Sequence, residues 1–212
     1  MNFQVTLPLQ ASAQQASSLV DLQRLFAQAC NLLAVLARDN RCWNRVALHH
    51  LGYRLVRAQF PSLGSQMACN AVYSVSRSCR LVYQNPGSPF CLARMGERSL
   101  PLIRFADSCP VYFDRHTVSV KEQRLSMFTL DGRLKFDMAL GVEEQAAFHS
   151  KKLREIILSG NKDGGFVLQF LLTDHGAPDS GRPVELVRAA ATFEPAPHLG
   201  LVPSYLKIEE VV

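Results

Sequence analysis

The residues best suited to do chemistry in this sequence lie at helical spacing between positions 66 and 84. Gln66, Asn70, Tyr73, Arg77 and Arg80 recur at steps of three and four, with Ser74 and Gln84 beside them. Residues so spaced share one face of a helix. That face offers amides, a phenol and guanidinium groups, and no carboxylate. Such a set suits contact with phosphate and sugar oxygens. The alternative reading is a plain solvent face with Tyr73 turned inward.

Further cations fall into three groups. Arg54 and Arg57 belong to the preceding helical stretch, together with Arg38, Arg41 and Arg45 upstream, and some of these are expected to face the same groove. Arg115, Lys121, Arg124, Arg133 and Lys135 lie in strand-like sequence. On an outward sheet face they would hold a nucleic-acid backbone, or equally serve as edge charges that discourage aggregation. Lys151 and Lys152, followed by Arg154, form a short basic run that also fits a solvated helix end.

Catalytic patterns are absent. The six histidines are dispersed, and His49 and His50 are adjacent, so on a helix they point in different directions. There is no HExxH, GxSxG or Walker-type string. Gly160–Gly165 is glycine-rich but lacks a GK[ST] ending and lies between two predicted strands, which fits a hairpin loop. No acidic set suggests a two-metal site. No catalytic residue, metal ligand or cofactor is therefore expected. Cys30, Cys42, Cys69, Cys79, Cys91 and Cys109 include no CxxC pair, which predicts reduced thiols in a cytoplasmic protein rather than zinc ligation.

These side chains need elements to position them. A short strand, Phe3 to Leu9, opens the chain. Helical periodicity follows from Ser18 to Asn40 through Leu22, Leu25, Phe26, Ala29, Leu32, Leu33 and Leu36. Asn44 is a good N-cap for a second helix carrying Leu48, Leu51, Leu55 and Val56, which Pro61 ends. A third opens with Ser65 as N-cap and runs to about Gln84, with Met67, Ala71, Val72, Val75, Cys79 and Val82 as its apolar face. Residues 85–110 read as a linker with one strand at Leu100 to Phe105.

Beyond Val111 the period becomes two. The clearest unit is a hairpin around Asp131-Gly132, a favoured pair for a type I′ turn. That turn would pair Leu130 with Arg133, Met127 with Phe136 and Leu125 with Met138. A short helix near Glu143 to Lys152 and strands at Leu153 to Leu158, Phe166 to Leu172 and Glu185 to Phe193 complete the expectation. The fold class predicted is α+β: an antiparallel β-barrel of residues 1–10 and 100–212, with a three-helix bundle and linker, residues 11–99, inserted after the first strand. A lone first strand has an open edge, so it is expected to pair with the later sheet.

Composition permits this. Of 212 residues, 48% are apolar and 19% charged, enough for a packed core. The net charge is +5, and arginine supplies 17 of the 23 cations. Guanidinium groups bind phosphate through a planar fork of donors, so this bias is permissive for nucleic acid. No stretch is read as long enough to span a bilayer, and the N-terminus carries no secretory pattern.

Several strings, in order, resemble the front part of TnpB (OrfB-type) transposon-encoded RNA-guided nucleases, relatives of type V CRISPR effectors. They are Phe26-Ala-Gln-Ala-Cys-Asn31, Leu48-His-His-Leu-Gly-Tyr-Arg-Leu-Val-Arg57, the segment Phe60 to Val72, Phe113-Asp114, and Leu130-Asp-Gly-Arg-Leu134. The strand pair Glu155-Ile-Ile-Leu158 and Gly165-Phe-Val-Leu-Gln-Phe170 fits the same layout. The resemblance covers roughly residues 3 to 175. It implies a wedge-like, OB-like barrel with an inserted recognition domain, gripping a guide RNA and, through the guide–target heteroduplex, target DNA. Family members continue into a RuvC nuclease domain with a catalytic Asp. Pro197 to Tyr205 lacks that Asp, and the chain ends at Val212. The expectation is a non-catalytic RNA-binding subunit with protein partners supplying nuclease or other effector function. A protein–protein scaffold and a DNA-binding regulator are the alternatives.

Overall fold

The computed structural model describes residues 2–121, 123–161, 163–174 and 202–210. The first strand, β1 (Asn2–Leu9), is followed by three long helices, α1 (Ala13–Asp39), α2 (Arg45–Gln59) and α3 (Ser65–Cys79). A π-helical turn, Arg80–Gln84, extends α3, and a one-turn helix, α4 (Leu92–Met95), leads to β2 (Leu102–Phe105). Then come β3 (Val111–Phe113), β4 (Val118–Lys121), β5 (Arg124–Thr129), β6 (Gly132–Asp137), α5 (Val142–Ser150), β7 (Lys152–Gly160), β8 (Phe166–Thr173) and β9 (Leu206–Glu209).

The first two helices start at side-chain caps. Ser12 and Gln15 form a reciprocal capping box ahead of α1, which therefore begins before Ser18. Asn44 Oδ1 accepts from the amides of Val46 and Ala47 at 3.0 and 3.2 Å, capping α2 as expected. The cap of α3 is Gly64 rather than Ser65. Gly64 has φ +76°, and a Cβ there would lie 3.1 Å from the Phe128 ring, so two constraints ask for glycine.

The buried stripe of α1 includes Leu19, Leu22, Phe26, Cys30 and Leu33, and α3 buries its whole predicted apolar face. On α2 the buried set is Leu48, Gly52 and Val56, a strict four-residue repeat. Leu51 and Leu55, expected in the core, are exposed, because only one narrow stripe of α2 meets α1 and α3. By length and composition α1 would suffice to cross a membrane, contrary to expectation. Half of its most apolar stretch is buried, and it packs on α2, α3 and β2.

The strands form three antiparallel sheets: β1-β8-β7-β3, β4-β5-β6 and β2-β9. β1 pairs with β8 along its whole length, from Asn2↔Thr173 to Leu9↔Phe166, which meets the expected pairing of the first strand with the later sheet. No closed barrel forms among the described residues, because β1 and β3 end the largest sheet without pairing to each other. The strand expected at Glu185 to Phe193 lies outside the described residues. β9 instead pairs with β2.

The β5–β6 hairpin differs in register from the expectation. Leu125 pairs with Phe136 and Met127 with Leu134. A type I′ turn needs positive φ at both central residues. Asp131 does not have it, and Gly132 (φ +108°) sits one place after a Leu130-Asp131 loop. The two-residue shift leaves each side chain on its expected face, so Leu125, Met127, Phe136 and Met138 are still buried.

Candidate nucleic-acid interface

The α3 face does not stand open. Tyr73 Oη donates to Glu155 Oε1 at 2.7 Å, and Arg77 Nη1 donates to both Glu155 oxygens at 3.2 and 3.4 Å. Arg77 also lies 5.8 Å from the centre of the Tyr112 ring, which meets Tyr73 edge-on. Gln66 donates to the Asp114 carboxylate. Asn70 is buried, with its amide nitrogen 3.8 Å from Met67 Sδ. The acid missing from the helix is supplied by β7 and by the residue after β3, so the reading of these four as open contacts is corrected. Arg80 alone of the five makes no side-chain hydrogen bond or ion pair among the described residues.

A β-bulge makes this possible. Leu153 pairs with Leu172 and Glu155 with Leu171, leaving Arg154 as the extra residue. Without it Leu153 and Glu155 would share a face. With it Leu153 packs on the apolar core while Glu155 turns toward α3. Burial and the nearby Glu155 charge raise the Tyr73 pKa, so its hydroxyl remains a donor. The neighbouring phenols and carboxylate hold the Arg77 guanidinium charged despite its burial.

The remaining candidates divide by what they touch. Arg54 is exposed and forms no side-chain hydrogen bond or ion pair among the described residues, whereas Arg57 donates to the Pro61 carbonyl at 3.1 Å. Lys121, Arg124, Arg133 and Lys135 share the outer face of the β4-β5-β6 sheet, as the alternation required. Arg124 is paired with Asp137 at 3.4 Å. Arg133 is tied to the His116 carbonyl at 2.8 Å and to Ser126. Lys121 and Lys135 are exposed without a side-chain partner among the described residues, and Arg115 is exposed beside His116. Phe128 carries this face to the α2–α3 corner, where its ring approaches Gly64. Lys151 is paired with Asp174, whose carboxyl it holds down at about 2, and Lys152 is exposed. Lys151 thus serves the sheet end rather than an open basic run.

Sequence reasoning passed over a broader signal. From Asn40 to Gly96 there is no Asp or Glu, against seven arginines. Arg77 makes the one ion pair that this stretch contributes among the described residues. Arg45 lies 5.1 Å from the centre of the Tyr73 ring. Arg41, Arg54 and Arg80 are left with no side-chain partner among the described residues. All six cysteines are free, and Cys30, Cys79, Cys91 and Cys109 are buried. No group of three or more metal-ligating side chains is gathered among the described residues.

No protein-family model matches the chain, and no curated protein matches it.

Proposed function

We propose that this chain is a non-catalytic RNA-binding protein, holding guide RNA and guide–target heteroduplex by their backbones within an RNA-guided assembly of the TnpB kind. The observation that carries the reading is the acid-free arginine stretch from residue 40 to 96, most of whose guanidinium groups have no carboxylate to neutralise them among the described residues. Unpaired guanidinium groups on rigid helices attract phosphates and release counterions on binding. Lys121 and Lys135 on the β4-β5-β6 face would extend the contact, with Arg115 beside them. The finer likeness, a wedge-like sheet domain with an inserted recognition domain, belongs to the same proposal, as do cytoplasmic location and partners that supply the cutting activity.

The test is binding of a structured RNA by fluorescence anisotropy across a salt series. A plot of log K against log salt should be steep and linear. The Arg54→Ala/Arg80→Ala variant should flatten it by roughly 1.5 units, about 0.7–0.9 for each phosphate that is no longer neutralised. A salt-independent affinity, or hydrolysis of the RNA by the pure chain with magnesium, would sink the proposal.

One observation favours a second reading, a protein-docking scaffold. Val46, Leu51 and Leu55 on α2 are 65%, 37% and 49% exposed, unusual for branched apolar side chains on one helix. Purified chain free of nucleic acid, with unchanged arginine variants, would point there.

A further inference from the structure

At the corner between α1 and α2, Arg41, Cys42, Trp43 and Asn44 face Arg80 and Gln84 across an open cleft of about 470 Å3. A neighbouring hollow of about 270 Å3 shares Arg41. The nearby acid Asp39 is already engaged by Arg38 at 2.7 Å. Arg41 and Arg80, by contrast, have no side-chain hydrogen bond or ion pair among the described residues. The cleft therefore gathers two guanidinium groups that no described residue neutralises, beside two amide residues, Asn44 and Gln84.

The two arginines are presented differently: Arg80 has ordinary helical dihedrals, φ −64° and ψ −41°, whereas Arg41 does not. α1 ends in a Schellman motif: the Cys42 amide donates to the Ala37 carbonyl at 2.9 Å and the Arg41 amide to that of Arg38 at 3.1 Å. The residue at this position takes the left-handed conformation and is usually glycine. Here it is Arg41, with φ +45°, the sole residue other than glycine with positive φ among those described. Across the cleft, Arg80 and Gln84 begin and end the π-helical turn, closed by the Asn85 amide on the Arg80 carbonyl at 3.1 Å. Such turns within helices are uncommon and concentrate at functional sites. The strain lies at Arg41 alone, and left-handed residues other than glycine cluster at functional sites.

The floor is rigid. Trp43 is 7% exposed, its ring lies 5.2 Å from that of Tyr83, and its carbonyl accepts from Ser76 Oγ at 2.6 Å. Two planar forks of donors lining one cleft suit a tetrahedral oxyanion.

We infer that this cleft binds a phosphate group between Arg41 and Arg80, and that the left-handed arginine is kept for that contact at the expense of stability. The phosphate can come from an RNA backbone or from a free anion, and only the former rests on the function proposed above.

Trp43, the single tryptophan of the chain, lies at the site and serves as reporter. The full chain is titrated with inorganic phosphate at constant ionic strength, with chloride as control, while Trp43 emission is followed. Saturable change specific to phosphate is expected. Arg80→Gln and Arg41→Gly should each raise the apparent Kd roughly tenfold or more, as befits removal of a charge-assisted hydrogen bond. Arg41→Gly should at the same time raise Tm by about 2–4 °C, because glycine relieves the left-handed strain. Equal responses to chloride and phosphate, affinities unchanged in both variants, or a lower Tm for Arg41→Gly each overturn the inference. A parallel titration with a short single-stranded RNA separates the two proposals. Saturation by phosphate without RNA binding upholds the cleft and defeats the RNA reading. RNA binding that neither variant weakens, with Trp43 silent to phosphate, does the reverse.

Discussion

Arg77 on α3 and Glu155 on β7 lie 78 residues apart in sequence and share two hydrogen bonds, at 3.2 and 3.4 Å, within a largely buried site. Their side chains are 20% and 11% exposed. The pair, with Tyr73 and Tyr112 around it, fastens the helical layer to the largest sheet. It converts what looks like a binding face in sequence into an internal joint.

Breaking that joint should cost stability. Removing one side of a buried ion pair strips its partner of these two charge-assisted hydrogen bonds while the cost of burying that partner's charge remains. Arg77→Met and Glu155→Leu are each expected to lower unfolding free energy by about 2–4 kcal/mol, with the double variant recovering much of the loss. Urea denaturation measures all three. A double variant as unstable as the sum of the singles would mean that the two residues act independently.

The outer face of β4-β5-β6 separates binding from folding. Lys121→Ala and Lys135→Ala should leave stability within about 0.5 kcal/mol, since neither side chain has a partner among the described residues. Each should reduce the salt dependence of RNA binding by roughly 0.7–0.9 of a unit. Arg133→Ala should do the same and in addition cost about 1 kcal/mol, because it releases the His116 carbonyl. Unaltered salt slopes in all three variants would remove this face from the interface.

Gly64→Ala tests the corner where that face meets α3. Positive φ and the Phe128 ring both oppose a Cβ. A loss of about 1–2 kcal/mol is expected, and Gly64→Ala/Phe128→Leu should restore only the steric share. Full recovery in the double variant would show that backbone conformation contributes nothing.

Alkali should unfold the protein early. Burial, the largest cause in each case, pushes the Cys79 thiol and the Tyr205 phenol up to about 12, and raises Cys30, Tyr73 and Tyr112 as well. A raised pKa means that the folded state holds its proton after the unfolded state has lost it. The resulting stabilisation is complete below about pH 7.5, where unfolded thiols and phenols are still protonated, and the thiol share begins to fall first. It is lost as pH climbs toward 12. The urea midpoint should therefore fall steadily between about pH 7.5 and about pH 11.5, and a flat profile would contradict the burial of these groups.

Local pattern was legible wherever one element decided its own shape. The periodicities of α1, α3, β5 and β6, the Asn44 cap and the need of β1 for a distant partner were all readable, because period, capping and edge satisfaction depend on a few neighbouring residues. Gly132 marked the hairpin but not its turn type, since Asp131 takes the sign of φ that the whole loop permits.

The amino-acid sequence by itself determined an α+β chain with an unusually acid-free, arginine-bearing helical segment. Only the tertiary structure decided which of those arginines are open. Glu155 reaches α3 because a bulge at Arg154 reverses the alternation of β7, and Asp114 meets Gln66 because β3 runs beside the start of α3. Such pairings depend on electrostatic satisfaction between segments far apart in the chain, which no local spacing encodes. Arg41 and Arg80, without a side-chain partner among the described residues, line one cleft that the packing of α3 against the α1–α2 corner creates.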